Sequence, residues 1–462
     1  MQQSALRSHA VSVTALRSAV TGRVIGPGEA DYDESRQVFN AAVDRRPAAV
    51  VRPADAADVA FVVTLARAHG LELAVRGGGH SMAGHGTSDG GIVLDLSDMR
   101  ELDIDPQRRT AWAQAGLTAG EYTTAAARHG LATGFGDTGT VGIAGITLGG
   151  GIGWLVRKHG LTVDDLLAVE LVTAGGDLLH VDAVTHPDLF WALRGGGGNF
   201  GVVTRLKYRL HEVDRVLGGM VILPASPDIL RAFVSVAGDA PDELSTIAQL
   251  APLPPLPFVA PEHHGRLGLM VSVVHAGDID AGQRAVAPIR ALATPIADTT
   301  RPMAYPEMYE DGGPPGRPKL AVRSMFIDDI DARVANTIFE HLRTAPPPMA
   351  MTQIRVLGGA MARIPADATA FAHRDRRTMV TVGAMHLGPG DAAVQAAWAD
   401  GLLSALRPSA SGAFVNFMGA EGTARVREAY PGGAYARLTA VKRRYDPTNL
   451  FRLNQNIAPS PG

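Results

Sequence analysis

RGGGHS at residues 76–81, TVGIAGITLGGGIGWLVRKHGL at 140–161 and DLFWALRGGGGNFGVVT at 188–204 place three glycine runs in the N-terminal half of one chain. Repeated glycine lets backbone N–H groups converge and lets a phosphate approach with no Cβ in the way. Any single run is read equally well as a tight turn. Three of them interleaved with strands are better explained by a large anionic cofactor clamped between backbone loops. Gly196, Gly198 and Gly201 formally satisfy G-x-G-x-x-G, but a dinucleotide fingerprint must open a helix, and the VVTRLKYRL that follows is strand-like. None of Lys158, Lys207, Lys319 and Lys442 follows a phosphate-binding loop of the G-x-x-x-x-G-K-[ST] type. His80 differs in kind from its neighbours. It reads as a surface residue, as a phosphate donor, or as a nucleophile able to bond a cofactor.

Outward from these runs, Ala48 onward reads as strand, helix, strand, with Asp55 as N-cap, Val59, Val62, Val63 and Ala66 on one apolar face, and Gly70 as terminator. Gly91–Leu96 and Thr110–Ala115 read as strands, Thr118–His129 as a helix, and Leu167–Thr173 with Leu178–Val181 as a hairpin about Gly175-Gly176. Pro187–Leu193 reads as a helix and Gly201–Leu210 as a strand. Beyond Leu210 the Pro-rich breaks PLPPLPFVAP (252–261) and GGPPGRP (312–318) separate strand-like runs such as Leu267–His275 from helix-like runs such as Ala281–Leu292. This composition predicts a second, mixed α/β domain. From Tyr430 a basic helix runs into an extended tail rich in Asn and Gln.

The 462 residues suffice for two or three domains. Lys plus Arg number 43 against 46 Asp plus Glu, a net charge of -3, so no basic nucleic-acid face dominates and a small-molecule partner is expected. Cysteine is absent, which removes disulfides, thiolate nucleophiles, Cys-ligated zinc and iron–sulfur clusters. Polar residues interrupt every apolar run of Met1–Val20, and nowhere do about 18 apolar residues run together. A cytoplasmic protein without membrane attachment is the expectation.

With YDPTNLFRLNQNI at 445–457, the three glycine stretches resemble the berberine-bridge-enzyme-like FAD-linked oxidases of the vanillyl-alcohol-oxidase flavoprotein superfamily. The four segments follow in family order and spacing, from about residue 32 to the C-terminus. The resemblance implies an α+β fold: a PCMH-type FAD-binding domain of two α/β subdomains (1–210), an inserted substrate domain on an antiparallel sheet flanked by helices (211–414), and a C-terminal segment (415–462) returning to the FAD domain. His80 matches the histidine that bonds the flavin 8α-methyl group. Arg76, Gly77, Gly78, Gly79 and Ser81 match the pyrophosphate loop, and Thr140, Gly142, Gly145, Gly149 and Gly153 the second flavin loop. Gly201 and Val203 match the strand beyond the third run, and Asn454 with Gln455 the returning tail. The cysteine that makes a second flavin link in many relatives is replaced at Thr138-Gly139, so a single covalent bond is implied. The implied chemistry is hydride removal from an alcohol or amine carbon to flavin N5, then return of electrons to dioxygen as hydrogen peroxide. A monomer or homodimer is expected.

This chain departs from the family at the proton acceptor. Alternation over Met351–Leu357 puts Gln353 and Arg355 on one face, and position 353 matches an acidic base in several relatives, a role Gln cannot fill. The stretch Ala413–Met418 (AFVNFM), read as a strand, carries Phe414 and Phe417 where the family has phenols, and keeps Asn416. Tyr435, His373, Tyr305 and Tyr309 remain as candidates, though each reads as readily as a hydrogen-bonded core residue. Ile143 matches a loop position near the flavin edge open to oxygen, which keeps a dehydrogenase with another acceptor in view. A flavin oxygenase and a flavin-binding protein without turnover also fit the pattern. His263-His264 has no carboxylate cluster nearby, and no metal site is expected.

Overall fold

A computed structural model describes residues 12–309, 317–345 and 349–460. The first eleven residues of the N-terminal stretch and most of the 312–318 Pro-rich break therefore lie outside the described residues.

A four-stranded sheet opens the fold, in the order Arg23–Ile25, Ala49–Arg52, Ile92–Asp95, Leu73–Arg76. The last three are parallel. The helix Ala56–His69 crosses over between the first two strands expected from the sequence, capped by the Asp55 carboxylate and ended by Gly70 in the left-handed region. Those two strands are not neighbours, because Ile92–Asp95 inserts between them. The first glycine run thus leaves the carboxyl end of a parallel strand, the end at which open α/β sheets take ligands.

A five-stranded antiparallel sheet follows, in the order Leu102–Asp105, Thr110–Gln114, Val202–Arg209, Leu166–Val172, Leu178–Asp182. The helix Ala119–Ala127 begins with a capping box of Thr118 and Glu121. One apolar cluster, with Tyr122, Phe135 and Tyr208 packed edge to face, fills the space around both sheets.

The rest of the chain builds an antiparallel sheet of nine strands among the described residues. Its order is Ala297–Asp298, Arg215–Pro224, Leu267–His275, Leu244–Pro252, Met349–Val356, Thr378–Met385, Leu320–Ile327, Ala410–Ser411, with Arg301–Ala304 also on Arg215–Pro224. Alternate residues such as Val221, Leu250, Val271, Ile354 and Val382 point to one face, which the helices Pro227–Gly238, Ile279–Arg290, Ala332–Arg343 and Pro389–Leu406 cover. The opposite face carries Gln353 and Arg355. Residues 413–418 do not form the expected strand: Val415–Phe417 is a single 3-10 turn, because Phe414 is buried between Phe371 and Phe417 and turns the chain away from the sheet edge. Among the described residues no helix is long and apolar enough to cross a membrane.

Candidate active site

Backbone contact between two glycine runs makes the floor of the site. A Cβ on Gly78 would overlap the Gly142 backbone nitrogen, and a Cβ on Gly142 would overlap that of Gly78. The second loop is held in place by the helix Ala119–Ala127: Ala119 N–H donates to the Val141 carbonyl at 2.9 Å and Gly120 N–H to Gly139 at 2.9 Å. Ile143 N–H donates to Leu117 at 3.0 Å. His80 lies at this junction, stacked on Phe39 with centroids 4.3 Å apart and hydrogen-bonded to the Thr140 backbone. Burial pushes its pKa down to about 4, so the imidazole is neutral at pH 7 and keeps a nucleophilic lone pair.

Gly145 is exposed within the helix Ile143–Leu148, although Ile143, Ala144, Thr147 and Leu148 are buried, and a Cβ there would meet nothing within 4 Å. Other glycines of the runs face protein instead. Gly149 leaves room for the Asn416 amide, Gly153 for the Phe135 carbonyl, and Gly201 for the Leu171 side chain. Val203 is enclosed in the core at 3% exposure. The Arg76 guanidinium is likewise spent within the protein: it binds Asp95 at 2.8 Å, the Gln37 carbonyl at 3.1 Å and the Ser35 carbonyl. These bonds make the Arg76 side chain a brace beneath the loop. Ser81 accepts from His85 N–H at 3.4 Å. Nearby, His85 Nε2, Thr87 Oγ1 and Ser88 Oγ are buried without a partner among the described residues.

Facing these loops, Arg355 Nε and Nη2 donate to Gln353 Oε1 at 3.1 and 2.9 Å, and Nη2 also donates to Asp137 Oδ2 at 2.6 Å. The guanidinium lies 5.2 Å from the Phe417 ring centroid. Asp137 stands directly before Thr138-Gly139, so this ion pair joins the second flavin-type loop to the sheet. Asn416 Nδ2 donates to the Ile146 carbonyl at 2.9 Å. The tail closes the arrangement. Asn199 binds Gln455 and Ile457 through its side chain, Asn454 Nδ2 donates to the Gly198 carbonyl at 3.2 Å, and Gln455 Nε2 donates to Met418 and Gly419 at 3.2 Å each.

Comparison with known proteins shows the family. The family described as "FAD binding domain" matches residues 47–182, and the family described as "Berberine and berberine like" matches 413–458. (R)-6-hydroxynicotine oxidase of Paenarthrobacter nicotinovorans is 33% identical over 456 residues, covering 96% of this chain and 97% of the relative. Berberine bridge enzyme-like 6 of Arabidopsis thaliana is 30% identical over 448 residues, covering 89% and 81%. The crystal structure of 6-hydroxy-D-nicotine oxidase from Arthrobacter nicotinovorans superposes with a TM-score of 0.85 at 29% identity, over 96% of this chain and 98% of that one. The chain belongs to the berberine-bridge-like FAD-linked oxidoreductases.

In this FAD-linked oxidoreductase the remaining base candidates are engaged within the protein, and Tyr309 packs against Gly139 of the second loop. His373 is a core residue: its ring stacks on Phe326 at 4.6 Å, its Nε2 bonds the Ala429 carbonyl at 3.1 Å, and burial pushes its pKa down to about 4. Its neighbour Arg374 chelates Asp164 at 2.7 and 2.8 Å, so this segment is a structural clamp. Tyr435 lies on the helix Ala434–Tyr445 beneath the Arg427 guanidinium, 5.1 Å from its ring centroid. Tyr305 and Tyr309 bond each other at 3.0 Å in the core, where burial raises both phenols. Ile143 is fully enclosed in the apolar cluster. Sequence reasoning missed Asp137 and His85. The signal for Asp137 was available, since it is the only charged residue between His129 and Arg157. A cavity of about 530 Å³ bordered by Arg109, His159, Arg209 and His211 takes no glycine from the three runs.

Proposed function

We propose that this oxidoreductase is an oxidase that removes a hydride from an alcohol or amine carbon of a small organic substrate, with FAD bonded to His80. The acceptance of electrons, and their return to dioxygen as hydrogen peroxide, is chemistry the bound cofactor supplies. The relative named (R)-6-hydroxynicotine oxidase supports an amine among the substrate types. The carrying observation is the neutral His80 imidazole at the meeting point of two glycine loops, beside a helix whose Gly145 leaves open space. His85 Nε2, orphaned and buried next to that loop, adds a polar group suited to a polar cofactor. In this reading Gly77, Gly78, Gly79 and Ser81 present backbone groups to the pyrophosphate. Thr140, Gly142 and Gly145 line the ring system, and Asn454 with Gln455 closes it from the tail. Residues 1–210 with 415–462 form the FAD-binding part, and 211–414 the substrate part.

The chain's own contribution to turnover is orientation. Gln353 and Asn416 offer amides and no carboxylate, and Asp137, the acid joined to Gln353 through Arg355, is held in an ion pair. The test is the intact mass of denatured protein: an FAD-sized adduct is expected, and its loss in His80→Ala. Unmodified protein after full reconstitution with FAD ends the histidyl assignment. Anaerobic bleaching by a panel of alcohols and amines, with peroxide formed on readmission of air, tests the oxidase reading.

A further inference from the structure

The Gln353 amide has a direction imposed on it. A guanidinium has donors only, so the amide oxygen, and never the amide nitrogen, faces Arg355. Arg355 cannot swing away, being 4% exposed in its side chain and tied to Asp137. Polarisation along carboxylate, guanidinium and amide strengthens the donor at the far end. That donor, Gln353 Nε2, has no protein partner among the described residues, and Gln353 is partly exposed where Arg355 is buried.

The surroundings define what it meets. On the same face of the sheet Gln249 stands directly opposite Gln353, and Thr381 on the other side. Met220, Ser272 and Met351 are partly exposed there. Arg355 is the only charged side chain that the strands from Arg215–Pro224 to Leu320–Ile327 place on this face, and Asp137 neutralises it. A charged group docking here would find no free counter-charge and would lose its hydration.

We propose that Gln353 is a fixed hydrogen-bond donor for the substrate, with Arg355 and Asp137 as its positioning residues, and that the substrate's sheet-facing end is uncharged, largely apolar and carries a carbonyl-type acceptor oxygen. The inference rests on the oxidase reading and deepens it. The experiment titrates FAD-loaded protein with 1-indanone and with indane, following the flavin visible absorption. Indanone binds about tenfold more tightly, the weight of one well-made hydrogen bond. Gln353→Leu abolishes that difference while leaving indane unchanged. Gln353→Glu turns the donor into an acceptor, so preference shifts from 1-indanone to protonated 1-aminoindane, a reversal that loss of structure does not produce. Equal binding of indanone and indane, no saturable response to indanone at millimolar concentration, or equal weakening of both in Gln353→Leu overturns the inference in yellow protein. Protein that stays colourless after reconstitution defeats the oxidase reading and this inference with it.

Discussion

Replacing Gly145 separates the role of a cofactor cradle from that of a turn. It is exposed inside a helical turn whose Ile143, Ala144 and Leu148 are buried, and a Cβ there meets nothing within 4 Å. In flavin-free protein Gly145→Ala therefore creates no clash and gains helix propensity, about 0.5–1 kcal/mol. For a folding unit of a few hundred residues that raises Tm by about 2 °C. Gly145→Leu keeps flavin-free stability near that of the parent, because its side chain also enters open space. If the isoalloxazine occupies that space, the same leucine overpacks the complex by about 1–3 kcal/mol, which lowers FAD affinity by about tenfold for each 1.4 kcal/mol. The assay pairs thermal melts of flavin-free protein with the ratio of flavin to protein absorbance after reconstitution and dialysis. Full flavin content in Gly145→Leu, or a flavin-free Gly145→Ala that melts well below the parent, refutes the reasoning.

Lys442→Met breaks a fully buried pair with Asp446 at 2.6 Å and removes donors from the Asn199 and Phe451 carbonyls. A loss of about 3–5 kcal/mol is expected, read as a lower urea midpoint and faster proteolysis of the tail beyond Tyr445. Asp137→Asn leaves Arg355 buried without its carboxylate, and a smaller loss of about 2–3 kcal/mol is expected because Asp137 is 23% exposed in its side chain; thermal melts of Asp137→Asn against Asp137→Glu check it, with Glu restoring part of the loss. Acid destabilises the flavin-free protein. His80, His85 and His373 are pushed down to about 4 by burial, so between pH 6.5 and 4 the unfolded chain binds protons that the folded chain does not. Each of them removes stability at about 1.4 kcal/mol per pH unit across that window. Urea midpoints at pH 6.5, 5.5 and 4.5 measure the slope, and His373→Phe flattens it by about one third of the three-histidine contribution.

What could be read from sequence was local. The period-two alternation that put Gln353 and Arg355 on one face became a hydrogen bond between them, and Asp55 and Gly70 bound their helix as capping chemistry requires. Errors arose where distant segments decide the outcome. Nothing local shows that Ile92–Asp95 separates two strands joined by one helix. Nor does AFVNFM reveal that Phe414 is drawn under Phe371, giving a turn in place of a strand. For Arg76 and His373 the residue type is legible in sequence and the partner is not: Asp95 holds the one and the Ala429 carbonyl the other.

The glycines divide by the same test of what lies beside them. Gly149, Gly153 and Gly201 are small so that Asn416, Phe135 and Leu171 can approach, whereas Gly145 is small beside open space. Sequence shows both kinds as identical runs, yet only the second kind leaves room for a ligand. The sheet presents Gln353, and the acid joined to it comes from the opposite loop, as Asp137, already neutralised by Arg355. In the proposed reading such a site binds and aims an uncharged substrate. In the proposed oxidase, the proton that accompanies hydride removal would leave through the substrate's own nitrogen or through solvent, which favours a neutral amine over an alcohol as the group oxidised, because an amine lone pair can drive hydride departure without prior deprotonation.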